Sequence, residues 1–267
     1  MTMRLAVQMY TIRDFVKTGS GFAESLDKVK KMGYDAVQLS AVGAMEGEDP
    51  EVSAKEARKM LDDRGIKCIA THIGWHGLQH EISREIDTHR ILGCDFTAIG
   101  SIPGSYGEKG AEGYSQFMRD ADPIIARLKA AGIRFGYHNH AFEFLRIGPG
   151  RRTLYDLFIE AENPDLLLEQ DVYWTDHAGV NPVRIFERAP GRQPVIHLKD
   201  KEIDEKGQPV MAPIGEGNLD WEGLLPACEA AGVEWLCIEQ DTCRRDPFDC
   251  LRSSYDYLTP MLAKQLY

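Results

Sequence analysis

Pro194-Val195-Ile196-His197-Leu198-Lys199 is a run too short for a stable helix, apolar at its centre and polar at its C-terminal end. Seven other runs are as short and as apolar at the centre: Leu5–Tyr10 (LAVQMY), Asp35–Ser40 (DAVQLS), Lys67–His72 (KCIATH), Asp95–Gly100 (DFTAIG), Ile133–His138 (IRFGYH), Leu166–Asp171 (LLLEQD) and Glu234–Glu239 (EWLCIE). Each reads as a strand, and amphipathic helical stretches separate them. Dividing 267 residues by eight leaves about 33 per unit, enough for a strand, a helix and two connections. Strict alternation predicts parallel strands, because a parallel pair needs a crossover. Eight such units in one chain predict a closed (β/α)8 TIM barrel with its working face at the C-terminal ends of the strands. An open doubly wound sheet would need a glycine-rich turn after the first strand, where this chain has Thr11-Ile12-Arg13-Asp14. With no linker or low-complexity tract, residues 1–267 read as one domain.

The helical stretches carry their own punctuation. Phe22, Leu26 and Val29 form an apolar stripe, and Ser53 with Glu56 forms a capping-box pattern. Asn181-Pro182 and Asp246-Pro247 each place a capping side chain before a proline suited to the first helical position. Gly132 suits a helix terminus. Pro123 predicts a kink or a new helix start near Asp122.

Lys and Arg number 31 against 42 Asp and Glu, a net charge of −11. That balance disfavours a nucleic-acid partner, whose binding is driven by cationic side chains. The six cysteines form no CxxC pair and read as reduced thiols of a cytoplasmic protein. The N-terminus lacks a signal-peptide apolar core, and no apolar run is long enough to span a bilayer. A homo-oligomer is compatible with all of this.

The last four strands end in chemistry: His138-Asn139-His140, then Asp171, then His197 with Lys199 and Asp200, then Glu239 with Asp241. Singly these have ordinary explanations, since a strand-end histidine often only accepts a structural hydrogen bond and a strand-end carboxylate often caps the next helix. Together they propose an open site for a divalent cation. Imidazole with carboxylate favours manganese, cobalt, iron or zinc over the harder magnesium, and no cysteine is available for a closed structural zinc site. Such a site polarises a carbonyl and a neighbouring hydroxyl and acidifies the adjacent C–H.

Over nearly its whole length the chain resembles the sugar phosphate isomerase/epimerase superfamily of xylose-isomerase-like TIM barrels. The resemblance is carried by Val7–Asp14 (VQMYTIRD), Tyr137–Phe144 (YHNHAFEF), Asp171–Trp174 (DVYW), His197–Asp200 (HLKD), Gly215–Trp221 (GEGNLDW) and Ile238–Asp241 (IEQD). It implies one divalent metal, manganese first and cobalt, iron, zinc or magnesium as alternatives. The ligands it implies from the last three strands are Asp171, His197 and Glu239. Many relatives have Glu-Asn-His where this chain has His138-Asn139-His140. Either His138 takes the first ligand position, as its place at the strand terminus favours, or Glu143 reaches back.

The activity implied is isomerisation or epimerisation of a ketose or keto-sugar through an enediolate. Glu239, with Glu143 or His140, would move the proton, and Lys199 would hold the developing oxyanion. Tyr10 and His72 are candidates for substrate hydrogen bonds, His72 also for a second metal ligand. Trp174, or Trp75, is a candidate apolar wall for a sugar ring. The histidine-rich fifth strand also resembles that of inosose dehydratases, so a lyase acting on a keto-inositol or 3-keto-glycoside is the alternative. A nuclease would need further metal ligands and a basic groove. A sugar-binding barrel without turnover is the non-enzymatic reading.

Overall fold

A segment with few polar side chains can lie buried on both faces, one turned into a ring and the other under helices. The computed structural model, which describes residues 3–264, uses all eight runs in this way. The barrel strands are β1 (Arg4–Gln8), β2 (Ala36–Leu39), β3 (Lys67–His72), β4 (Phe96–Ile99), β5 (Arg134–His138), β6 (Leu166–Glu169), β7 (Val195–Leu198) and β10 (Trp235–Ile238). They pair in the order β6-β5-β4-β3-β2-β1-β10-β7, every pair parallel. β6 and β7 meet only through the bridge Asp171↔His197, where the His197 N–H donates to the Gln170 carbonyl at 2.9 Å. The ring is therefore nearly closed, and its weakest seam runs through two candidate site residues.

The outer shell is α1 (Gly19–Met32), α2 (Ala54–Asp62), α3 (Ile82–Leu92), α4 (Gly110–Ala130), α5 (Leu154–Ile159), α6 (Pro182–Arg188), α7 (Trp221–Ala230) and α8 (Pro247–Lys264). The Ser53–Glu56 capping box is complete, and Asn181 accepts from the Val183 N–H at the start of α6. Of the two outcomes expected at Pro123, a new helix start does not occur: α4 continues through it. Tyr114, Phe117, Ile124, Ile125 and Leu128, buried on both sides of the proline, hold the helix against the barrel. Within the ring, Ala6, Ala36, Ala70 and Ala98 leave room for Phe96. A Cβ at Gly136 would sit 2.7 Å from the Phe96 ring, so glycine is needed there for the ring to be filled.

The sequence reading contained no strands between Lys199 and α7, but an antiparallel hairpin lies there, β8 (Asp200–Ile203) with β9 (Pro209–Ala212). Its charged and proline-containing strands lack the apolar run that marks the others. What anchors it is Asp200, fully buried, whose carboxylate accepts from the backbone N–H groups of Lys201, Gly215, Gly217 and Leu219 and from Trp221 Nε1 at 2.7 Å. These bonds draw the chain after β9 back against the end of β7. Asp200→Ala orphans several of these donors at about 1–3 kcal/mol each. Urea unfolding should show a loss of about 3 kcal/mol or more, with far-UV circular dichroism unchanged in the native baseline.

Candidate metal centre and cavity

Neighbouring parallel strands place their C-terminal side chains around one mouth, and here the mouth opens on a cavity of about 220 Å³. Tyr10, Ser40, His72, Gly100, His138, His140, Lys199, Glu239 and Asp241 line it. Below it lies Glu169, with no solvent exposure. Its Oε2 is 2.5 Å from His72 Nε2, 3.4 Å from His197 Nε2 and 3.5 Å from His138 Nδ1. Its Oε1 accepts from Gln38 Nε2 at 2.9 Å. Burial alone would push this carboxyl up, but the imidazoles of His197, His72 and His138 hold it well below the usual carboxylate range. Gly100 allows His72 this position, since a Cβ there would stand 3.2 Å from His72 Nδ1.

A second group surrounds Lys199, 2% exposed, whose Nζ lies 3.0 Å from Asp171, 2.8 Å from Glu239 and 2.7 Å from Asp241. Burial opposes its charge, and these three carboxylates outweigh burial and keep the ammonium protonated. Glu239 Oε2 is also 2.7 Å from His197 Nδ1. Burial pushes the Asp171 carboxyl up to about 6 in spite of Lys199. Asp171 Oδ1 accepts from the Trp174 N–H and caps the short helix Val172–His177, the ordinary role of a strand-end carboxylate. His197 lies between the groups. Burial disfavours its charge, but Glu169 and Glu239 raise it to about 10.

The donor set suits a dication. Three carboxylates, Asp171, Glu239 and Asp241, surround the one lysine, and a fourth, Glu169, meets only imidazoles and the Gln38 amide. His138 Nδ1 is buried and has no hydrogen-bond partner, while Asp171 Oδ2 meets the Lys199 ammonium at 3.0 Å. Two sets of donor atoms lie within 4.8 Å of one another: His72, His138, Glu169 and His197, and Asp171, His197 and Glu239. The expected ligands are thus divided, with His138 in the first set, Asp171 and Glu239 in the second, and His197 in both. His138 Nε2 comes no nearer than 3.8 Å to Asp171 Oδ2.

The other expected residues separate as clearly. His140 lines the cavity with Nδ1 unpartnered, and burial, then Lys199, lowers its imidazole to about 4, so it is neutral at physiological pH. Tyr10 reaches the cavity with the Arg13 guanidinium 4.2 Å from its ring centroid. The Trp174 ring stands beside the mouth, 5.6 Å from that of His140 and 5.9 Å from Lys199 Nζ. Trp75 packs on Phe117 instead, in the helical shell.

Glu143 is not among the residues that line the cavity. It has no exposure, Oε1 accepts from the Tyr137 hydroxyl at 2.6 Å, and Oε2 accepts from the His140 N–H at 2.9 Å. The carboxyl fixes the turn that carries His140.

Glu169 was not among the sequence candidates, because it lies two residues before the terminus of its run, Leu166–Asp171, where Asp171 drew the assignment. The signal was present: Glu169 and Asp171 are two apart, hence on the same side of an extended chain.

The family signature of xylose isomerase-like TIM barrels matches residues 26–259, and the chain belongs to that family. A sugar phosphate isomerase/epimerase from Parabacteroides distasonis is similar in structure at 21% identity with a TM-score of 0.80, over 98% of this chain and 96% of that one. An L-ribulose 3-epimerase superposes with a TM-score of 0.70 at 13% identity, over 98% of this chain and 95% of that one. A probable 3-DHS dehydratase from Bacillus anthracis superposes with a TM-score of 0.69 at 12% identity, covering 96% and 99%. No curated protein matches the sequence. Among the described residues no helix is long and apolar enough to cross a membrane.

Burial raises the Glu143 carboxyl from 4.5 to about 7, so the folded state keeps a proton that the unfolded chain releases. Its contribution to stability is complete below pH 4.5 and is lost as the pH rises through about 7. Melting curves across this window should show the fall in Tm of the wild type exceeding that of Glu143→Gln.

Proposed function

We propose that the chain is a divalent-metal-dependent isomerase or epimerase of a ketose or keto-sugar, working through an enediolate. The observation that carries this reading is the buried cluster of imidazoles and carboxylates under a small polar cavity at the strand C-termini. A dication bound in that cluster supplies Lewis acidity toward a carbonyl and its neighbouring hydroxyl. The ligand set implied by the resemblance is His138, Asp171, His197 and Glu239.

The chain's own groups supply the rest. His140, neutral and lining the cavity, accepts the proton from the carbon beside the carbonyl. The Lys199 ammonium, held charged and immobile by its three carboxylates, stabilises negative charge developing on substrate oxygen. Glu239, at the cavity wall between Lys199 and His197, is the second group in the proton path. Tyr10 and His72 are placed to bind hydroxyls, and the Trp174 ring closes one side against the apolar face of a sugar. Return of the proton to the neighbouring carbon gives isomerisation, and return to the opposite face gives epimerisation.

The lyase reading draws support from the imidazoles of His72, His138 and His140 around one cavity and from the structural likeness to a probable dehydratase. An imidazolium formed by proton abstraction could protonate a departing β-hydroxyl.

A panel of ketoses and keto-polyols in D2O, followed by NMR with metal-loaded protein, tests both readings. Deuterium entering beside a carbonyl with the substrate skeleton conserved supports isomerisation or epimerisation. Net loss of water selects the lyase. Bound metal and bound sugar with no exchange overturn both. Glu239→Gln and His140→Gln should each slow exchange by about 10²–10⁴-fold. His197→Ala, which removes a donor common to both sets, should lower bound metal by about tenfold or more in elemental analysis.

A further inference from the structure

We propose that the metal of this chain is held by His72, His138, Glu169 and His197, three imidazoles and one carboxylate from β3, β5, β6 and β7, while Lys199 takes the cation's place among Asp171, Glu239 and Asp241. This rests on the reading of the cluster as a metal centre and changes the ligand set within it.

Three observations carry the assignment. The first is charge. Lys199 Nζ already lies within 3.0 Å of Asp171, Glu239 and Asp241. A dication at bonding distance, about 2.0–2.2 Å, from those same oxygens would share their small volume with a fixed positive charge. Lys199 has no ion pair with Glu169 among the described residues. The Glu169 side therefore offers negative charge without that repulsion.

The second is the orientation of His197. Glu239 Oε2 lies 2.7 Å from Nδ1, which fixes that nitrogen as the N–H donor and turns Nε2 toward Glu169. A carboxylate behind a histidine in this way is the usual support for a metal-ligating imidazole. Glu239 then acts as the partner that orients a ligand. A cation bound there takes the place of the proton that Nε2 presents to Gln38 Oε1 at 2.9 Å.

The third is a pair of nitrogens turned toward one carboxylate oxygen, that of His138 without a hydrogen-bond partner and that of His72 bonded to the oxygen at 2.5 Å. His138 is 3% exposed and its Nδ1, 3.5 Å from Glu169 Oε2, has no hydrogen-bond partner. His72 Nε2 points at the same oxygen. Asp171 is committed elsewhere, one oxygen capping the helix Val172–His177 and the other facing Lys199. Three imidazoles with one carboxylate favour a borderline ion such as cobalt, zinc or iron over magnesium.

The test is a Co2+ titration of the metal-free full chain, read by visible absorption and by elemental analysis after dialysis. It uses wild type, His72→Ala, Glu169→Gln and Asp171→Asn, each checked for folding by circular dichroism and melting. The wild type should bind one equivalent. His72→Ala and Glu169→Gln should weaken binding by about tenfold or more and alter the cobalt spectrum. Asp171→Asn should keep both affinity and spectrum. Loss of cobalt in Asp171→Asn, with retention in the other two, would overturn this ligand set and leave the metal-dependent reading standing. A folded wild type that binds none of Co2+, Zn2+ and Mn2+ would overturn this inference and that reading together.

Discussion

The arrangement depends on a carboxylate kept ionised where water does not reach. Glu169 lies beneath the cavity with no exposure, its charge answered by three imidazoles and the Gln38 amide. A buried charge of this kind is strongly unfavourable unless its partners are fixed. Each partner comes from a different strand, so the ring itself supplies the fixing. His197 transmits the same demand sideways, because its other nitrogen meets Glu239, and Glu239 meets Lys199. One run of charge thus reaches from below the cavity to Asp241 at its rim. Substitution anywhere along it alters the electrostatic setting of the rest.

The barrel was legible because its evidence is repeated. Eight short apolar runs separated by helical stretches leave few topologies open. The capping signals at Ser53 and Asn181 act within a few residues, so local sequence suffices to read them. Pro123 shows the limit of local reading: a residue that breaks an isolated helix is carried within α4 because apolar side chains on either side of it are buried.

The site was legible in outline for a related reason. Parallel strands must bring their C-terminal residues to one mouth, so His138, His197 and Glu239 could be named from position alone. The sequence could not give depth or allegiance. Glu169 differs from a cavity-lining carboxylate only by lying one layer further in. Glu143 is tied to the His140 N–H because a 3-10 turn brings it back against that residue, which spacing along the chain does not reveal. The hairpin β8–β9 was invisible because its strands are short, charged and stabilised by Asp200 rather than by apolar pattern.

Asp200 has one more implication. It follows Lys199 directly, so the hydrogen bonds that gather the excursion also hold the backbone beneath the ammonium. The outer half of the hairpin, from Ile203 to Gln208, is relieved of any part in that support. The tip of the hairpin can therefore change in length and charge while the backbone that carries Lys199 keeps its shape.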